Sequence, residues 1–288
     1  MNTLYYKHSG KFAGSKLFLY ISLSILVSIL VALIYSLIDK YNPFVYVQAI
    51  VTFFLVAFLG VINSDFLLKS KVRSNFINIG YSLVIGFTTL YFSWIFWIYA
   101  IFDYKYNLLD IFLSSPRLFS FLVEFSNSYF ISVYSSKITG NTILILWFLE
   151  AIFIIGGITY YTNKELLHRV FCEYCKDWCK VDQVFDLENK AEMGTIKRVL
   201  EAKNFSYFKD FSVKSNISTS GLRLYTRKCD NCSNTNTLTV SEVSSKTDSR
   251  GELFEKEKEI VSNLLLSSEE VRELSNICLN IIGNSNQS

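Results

Sequence analysis

Four long apolar runs, three of them without a single charged residue, constrain this chain more than any other feature: Leu17 to Ile38, Val45 to Asn63, Ile77 to Ile101 and Asn141 to Tyr161. A hydrocarbon core about 30 Å thick is crossed by about 20 helical residues rising 1.5 Å each, so each run is long enough to span a bilayer. One such run could be a buried helix of a soluble core, but four in one stretch of chain point to an all-α membrane region. The composition agrees: 51% of residues are apolar and 18% charged, against roughly a quarter charged in a soluble domain, which excludes disordered, collagen-like and disulfide-dense classes. The first run follows Lys7, Lys11 and Lys16 as a secretory signal would, yet it exceeds the roughly 7–15 apolar residues of a signal core. It exits through Tyr35, Leu37, Ile38 and Asp39 rather than small residues, and is expected to be a retained anchor.

Residues 1–163 hold 10 of the 28 Lys/Arg and 6 of the 25 Asp/Glu, leaving 18 and 19 to residues 164–288. The expected division is therefore a four-span membrane domain, 1–163, and an ordinary, water-soluble domain, 164–288. Cytoplasmic flanks of membrane helices collect Lys and Arg. Lys7, Lys11 and Lys16 precede the first span, Lys69, Lys71 and Arg73 lie in the second loop, and Lys164 and Arg169 follow the fourth span. The opposite side carries Lys40, Lys105, Arg117 and Lys137. This places both termini in the cytoplasm of an inner- or plasma-membrane protein. The outer loop, 103–140, has apolar residues at helical spacing on either side of Pro116 and is expected to form two short amphipathic helices at the outer interface, either a lid over the bundle or a surface sensing lipid or ligand.

Glu150 lies near the middle of the fourth run, where an isolated carboxylate is costly. It is a candidate intramembrane polar site, serving either to tie helices together or to mark a conduction path. Gln48, Thr88, Thr89 and Ser93 are its expected partners.

All six cysteines follow the last span. Cys172 and Cys175 form one C-x-x-C, Cys229 and Cys232 a second, with 53 residues between the pairs. Each C-x-x-C puts two thiolates on a tight turn, and two such turns complete a zinc tetrahedron. Leu222–Lys228 and 238–243 read as strands flanking the second turn. With CEYC and CDNC as its knuckles and a strand-knuckle-strand around the latter, the tail resembles a zinc ribbon split by an insertion. That resemblance implies a structural zinc cofactor held by Cys172, Cys175, Cys229 and Cys232, and a tail of the α+β class. His168, Cys172, Cys175 and Cys179 form a rival local set; on a continuous helix its ends stand about 16 Å apart, so it needs the chain to turn. Cys179 is then a substitute ligand or a buried thiol, His168 an interface residue, and Cys278 a core residue. Lys190–Lys203 is expected to be an amphipathic helix within the insertion, 214–221 a loop, and 252–266 with Ser268–Ile282 a C-terminal helical hairpin, its second helix opened by the capping box Ser267-x-x-Glu270.

A thioredoxin-like redox reading of C-x-x-C lacks its strand-helix-strand setting and any proline after Pro116. The two histidines, His8 and His168, offer no base beside a nucleophile, and the chain has no phosphate loop or H-E-x-x-H. No enzyme is expected. The tail's near-neutral charge argues against nucleic acid. The expected function is a membrane protein displaying a zinc-stabilised cytoplasmic module for partner recruitment, sensing or assembly, in contact with lipid and with a protein partner or second copy. No small-molecule substrate is indicated. The alternative is an oligomeric channel or transporter with Glu150 near its pathway.

Overall fold

The computed structural model describes residues 4–42, 44–102, 107–113, 115–128, 131–133, 136–188, 191–214, 221–232, 234–247 and 253–285. The chain divides into two compact units, Ser9–Leu167 and Met1–His8 together with His168–Ser288.

In the first unit, α1 (Gly14–Tyr41), α2 (Val45–Ser70) and α3 (Asn75–Ile101) are followed by the short α4 (Leu108–Leu113) and α5 (Ser115–Ser128). An antiparallel pair, β1 (Ile131–Val133) and β2 (Ser136–Ile138), leads to α6 (Asn141–Leu167). Among the described residues, α1, α2, α3 and α6 are long and apolar enough to cross a membrane. Each outruns its apolar sequence. The second helix continues through Asp65 and Lys69, which pair at 2.6 Å one turn apart, and stops where Lys71 turns left-handed at φ 56°. Ser74 then caps α3 by accepting from the Ile77 amide.

The long helices form a ring in which α1 touches α2 and α3, and α6 touches α2 and α3. Its exterior differs from that of a soluble bundle. On α1, Phe18, Leu26 and Leu30 face outward while Ser24 and Ser28 are fully buried. Some of the buried polar groups bond across helices: the Tyr81 hydroxyl donates to Asn63 Oδ1 at 2.9 Å and bonds Ser24, and Asn163 donates to Ser82 at 2.7 Å. An apolar exterior with small and polar side chains buried among apolar ones such as Val56, Leu59, Ile85 and Ile154 is the arrangement a bilayer stabilises. This is a multi-pass membrane protein.

Without a hydrophobic drive between lipid-facing helices, close packing holds the ring together. A methyl group added at Gly60 would meet Tyr161 Cβ at 2.3 Å, and one at Gly157 would meet Val56 Cγ1 at 2.5 Å. Gly60→Val is therefore expected to destabilise the bundle by about 1–3 kcal/mol through overpacking. Gly80→Val, at a position with no atom within 4 Å, serves as the control. Equal thermal shifts for the two variants in detergent would show that the α2–α6 seam is not tightly packed.

The two short helices expected on either side of Pro116 are α4 and α5, and they pack on α3 and α6. Ile111 of α4 and Leu118 and Leu122 of α5 are buried with Ile95 and Ile98 of α3, among Trp94, Trp97 and Trp147. The side chains of Pro116, Arg117 and Lys137, and residues Pro43 and Lys105, lie outside the described residues.

The second unit begins with a small antiparallel pair, β3 (Phe171–Cys172) and β4 (Asp177–Trp178). Strand β5 (Lys180–Glu188) follows, then α7 (Met193–Glu201), a 3-10 helix (Phe205–Asp210), β6 (Gly221–Lys228), β7 (Asn236–Thr247), β8 (Leu253–Leu266) and α8 (Ser268–Ser285). Strands β5 to β8 form one antiparallel sheet in sequence order. Phe185 and Leu187, Leu222 and Leu224, Leu238 and Val240, and Val261 and Leu264 share a core with Ile196 and Leu200 of α7, Phe205 and Phe208 of the 3-10 helix, and Leu274 and Cys278 of α8. The opposite face is polar. Arg223 is bound there by Asp186, Glu255 and Glu257, and its guanidinium pKa is raised chiefly by the Asp186 hydrogen bond.

Three expectations need correction or extension. The first helix of the C-terminal hairpin, read over 252–266, is strand β8, so a single helix, α8, follows it. The run of alternating Glu and Lys satisfies a helical charge pattern equally well, but pairing with β7 decides, Glu255 opposite Ser245, Glu257 opposite Val243 and Glu259 opposite Ser241. The insertion is not simply helical, because β5 and β6 frame its helices. The amphipathic helix is Met193–Glu201, and Lys190 and residues 215–220 of the expected loop lie outside the described residues. The capping box is present: the Ser267 amide donates to Glu270 Oε2 at 2.7 Å and the Glu270 amide to Ser267 Oγ at 3.2 Å.

Candidate metal centre

The first knuckle sits on β3 and β4. Cys172 ends β3, the chain turns over 173–176, and Lys176 takes the left-handed conformation at φ 55°. The Cys175 amide points back at the Cys172 sulfur at 3.5 Å, as a tight thiolate turn requires. The second knuckle links β6 to β7, with Cys229 directly after β6 and its amide bonded to the Thr235 carbonyl at 3.3 Å.

The sulfurs of Cys172, Cys175, Cys229 and Cys232 lie within 4.8 Å of one another, Cys172 and Cys229 buried and the other two half-buried. The Cys172 and Cys232 sulfurs are 3.6 Å apart. Four sulfurs at about 2.3 Å from a central ion stand about 3.8 Å apart, so the donor set fits a tetrahedral thiolate site. Its electrostatics point the same way. Burial opposes ionisation of Cys172, yet hydrogen bonds from Thr235, the Cys175 amide and Cys232 bring its thiol down to about 6. The Cys175 thiol is pushed up, first by its hydrogen bond with Cys232, and Cys229 is pushed up chiefly by burial. Four clustered thiols cannot all ionise without a cation to share.

The remaining candidates fall outside the set. Cys179 is buried beside Val170, Cys172 and Cys229, where its thiol reaches toward the Thr235 carbonyl at 3.9 Å; burial, then the neighbouring sulfur charges, raise it to about 12. His168 Nδ1 pairs with Glu259 at 3.1 Å. Cys278 lies in the sheet-helix core, where burial raises it to about 12. Ser233 lies outside the described residues. Comparison with family models, curated proteins and solved structures returns no match to this chain.

Glu150 has a partner the sequence did not indicate. Tyr35 of α1 donates its hydroxyl to Glu150, accepts from Gln48 Nε2 at 2.7 Å and lies 2.8 Å from Thr52 Oγ1. One tyrosine thus joins α1, α2 and α6. Thr88 and Thr89 instead bond carbonyls one turn back on α3. A cavity of about 20 Å³ opens beside the carboxylate, lined by Tyr35, Ser93, Trp97, Trp147 and a second acid, Asp39. Asp39 reads in sequence as the exit of the first span; the packing of α1 and α6 on a shared neighbour, α3, brings it to the cavity that Glu150 lines.

Proposed function

We propose that this membrane protein displays a tail built around a structural zinc ion held by Cys172, Cys175, Cys229 and Cys232, and that the tail recruits or senses a protein partner. The carrying observation is the closed set of four thiols: a tetrahedron filled by sulfur leaves no position for substrate, which is the pattern of structural rather than catalytic zinc. The reading carries no enzymatic step. Cytoplasmic placement of the tail is supported by the basic flanks, and two of these meet in the structure, the Gly10 amide donating to the Arg73 carbonyl and the Arg73 amide to the Lys11 carbonyl. A reducing compartment also keeps such thiols available for metal. Metal analysis of the purified full-length protein tests the reading; about one zinc per chain is expected, and a metal-free protein with intact thiols would overturn it.

Channel or transporter activity is the second reading, favoured by one observation, the cavity shared by Asp39 and Glu150. We take Glu150 as a helix tie, because Tyr35 fixes it to two neighbouring helices. Glu150→Leu is then expected to cost about 0.6–2 kcal/mol of bundle stability in detergent. Glu150→Gln, which still accepts from Tyr35, should assemble as the parent does. Ion flux in liposomes that Glu150→Gln abolishes would instead establish the second reading.

A further inference from the structure

Residues 4–8 belong to the tail unit, not to the membrane helices that follow them in sequence. Residues 4–6 lie along the outer edge of β8. The Leu265 amide donates to the Leu4 carbonyl at 3.0 Å, the Tyr6 amide to the Asn263 carbonyl at 2.9 Å, and Tyr5 bridges Leu264. An isolated bridge thus covers the C-terminal end of the β8 edge, where backbone groups would otherwise be unpaired. Tyr5 adds a hydrogen bond to Glu201 of α7 at 2.6 Å.

The other end of this segment reaches the cysteine centre. Tyr6 packs with Val170, Cys172, Cys179 and Cys229. Its hydroxyl accepts from the Phe171 amide at 3.0 Å, one residue before the first thiol. His8 stacks edge-on between Tyr6 and Trp178, and Trp178 in turn meets Phe171. Phe171, Cys172 and Trp178, which Tyr6 and His8 contact here, belong to the β3–β4 pair, and that pair consists of two residues on each side. A hairpin of that size has no stability of its own in water. Metal binding at such sites is folding free energy, so the grip exists when the knuckle is metal-loaded.

We infer that the cysteine centre is a metal-dependent clasp for the segment Leu4–His8, and so for the leader of the first membrane span, which begins at Gly14. This rests on the zinc reading above. It adds a route by which metal occupancy in the tail acts on the membrane half: with metal bound, the leader is held at both ends, and with metal removed, only the hold at Leu4–Tyr6, two backbone hydrogen bonds to β8 and the Tyr5 contacts with Glu201 and the core, remains and the segment loosens.

Amide hydrogen exchange on the full-length protein in detergent micelles tests this, comparing the protein with zinc and after a zinc chelator. Exchange at 4–8 is expected to accelerate at least about tenfold on chelation, while Leu222–Leu224 and Leu238–Val240 in the sheet core remain protected. Zinc bound and removed with no change at 4–8 overturns the clasp and leaves the zinc reading intact. Absence of bound zinc in the starting protein defeats the zinc reading and the clasp with it. Should chelation unfold the whole tail, Tyr6→Phe separates the roles in the zinc-loaded protein, because it removes the acceptor for Phe171 and no metal ligand. It is expected to accelerate exchange at 4–8 with zinc content unchanged, and parental exchange in that variant overturns the proposal.

Discussion

Cys229→Ser is expected to strip the full-length protein of its metal, from about one zinc per chain to less than about a tenth after purification. A hydroxyl is a poor substitute for thiolate, and the remaining three sulfurs leave an open tetrahedron. Structural zinc sites contribute about 10–16 kcal/mol of apparent binding free energy at neutral pH, so losing one ligand lowers affinity by orders of magnitude. Cys229 also begins the turn between β6 and β7, whose amide bond to Thr235 holds the knuckle closed. The adjacent Cys179 offers one escape, since its sulfur lies beside the set. Cys179→Ser alone is expected to retain full zinc, and the double variant to retain none. A double variant that keeps its metal would show that the four cysteines are not the site. The whole chain is the right material, because a fragment starting at residue 164 omits Leu4–His8 and exposes the edge of β8.

The membrane helices and the clustering of the four cysteines were legible because each depends on a short-range rule. Span length follows from bilayer thickness, and C-x-x-C spacing from the geometry of a thiolate turn. Even the 53-residue gap between the pairs is resolved by topology: β5 pairs with β6, which brings the start of β5, close after Cys179, beside the end of β6 at Lys228, next to Cys229. What the sequence concealed depends on long-range partners. Strand β8 carries Glu-Lys alternation that fits a helix face as well as a strand, and only β7 decides between them. Tyr35 is one tyrosine among 18, and its role arises because α1 packs on α2 and its hydroxyl reaches Glu150 of α6. Tyr5 and Tyr6 stand before a basic leader with nothing local to mark them as pairing with a sheet, because the partner edge is formed more than 250 residues later in the chain, at Asn263–Leu265.

Phe208→Ala is expected to lower tail stability by about 3–5 kcal/mol, the cost of a cavity at a fully buried aromatic. Phe208 is fully buried, packs against Phe211 with ring centroids 5.3 Å apart, and belongs to the layer that α7, α8 and the 3-10 helix lay over the sheet. Against a total of about 5–15 kcal/mol for a domain, that loss brings the tail close to unfolding. Metal opposes it by mass action. An ion that binds only the folded state, free at about 1,000 times its dissociation constant, adds about 4 kcal/mol. The Phe208→Ala protein is therefore expected to stay folded in excess zinc and to unfold when chelated, whereas the parent keeps its sheet core protected in both. Lys209→Ala, at an exposed position on the same 3-10 helix, should stay within about 0.5 kcal/mol of the parent. Hydrogen exchange at Leu222–Leu224 and Leu238–Val240 reads the outcome without interference from the membrane helices. Indistinguishable protection in the two variants would mean that the aromatic layer is not what holds the sheet. Loss of protection in Phe208→Ala that zinc cannot restore would mean that the metal site does not stabilise the sheet on which its second knuckle is built.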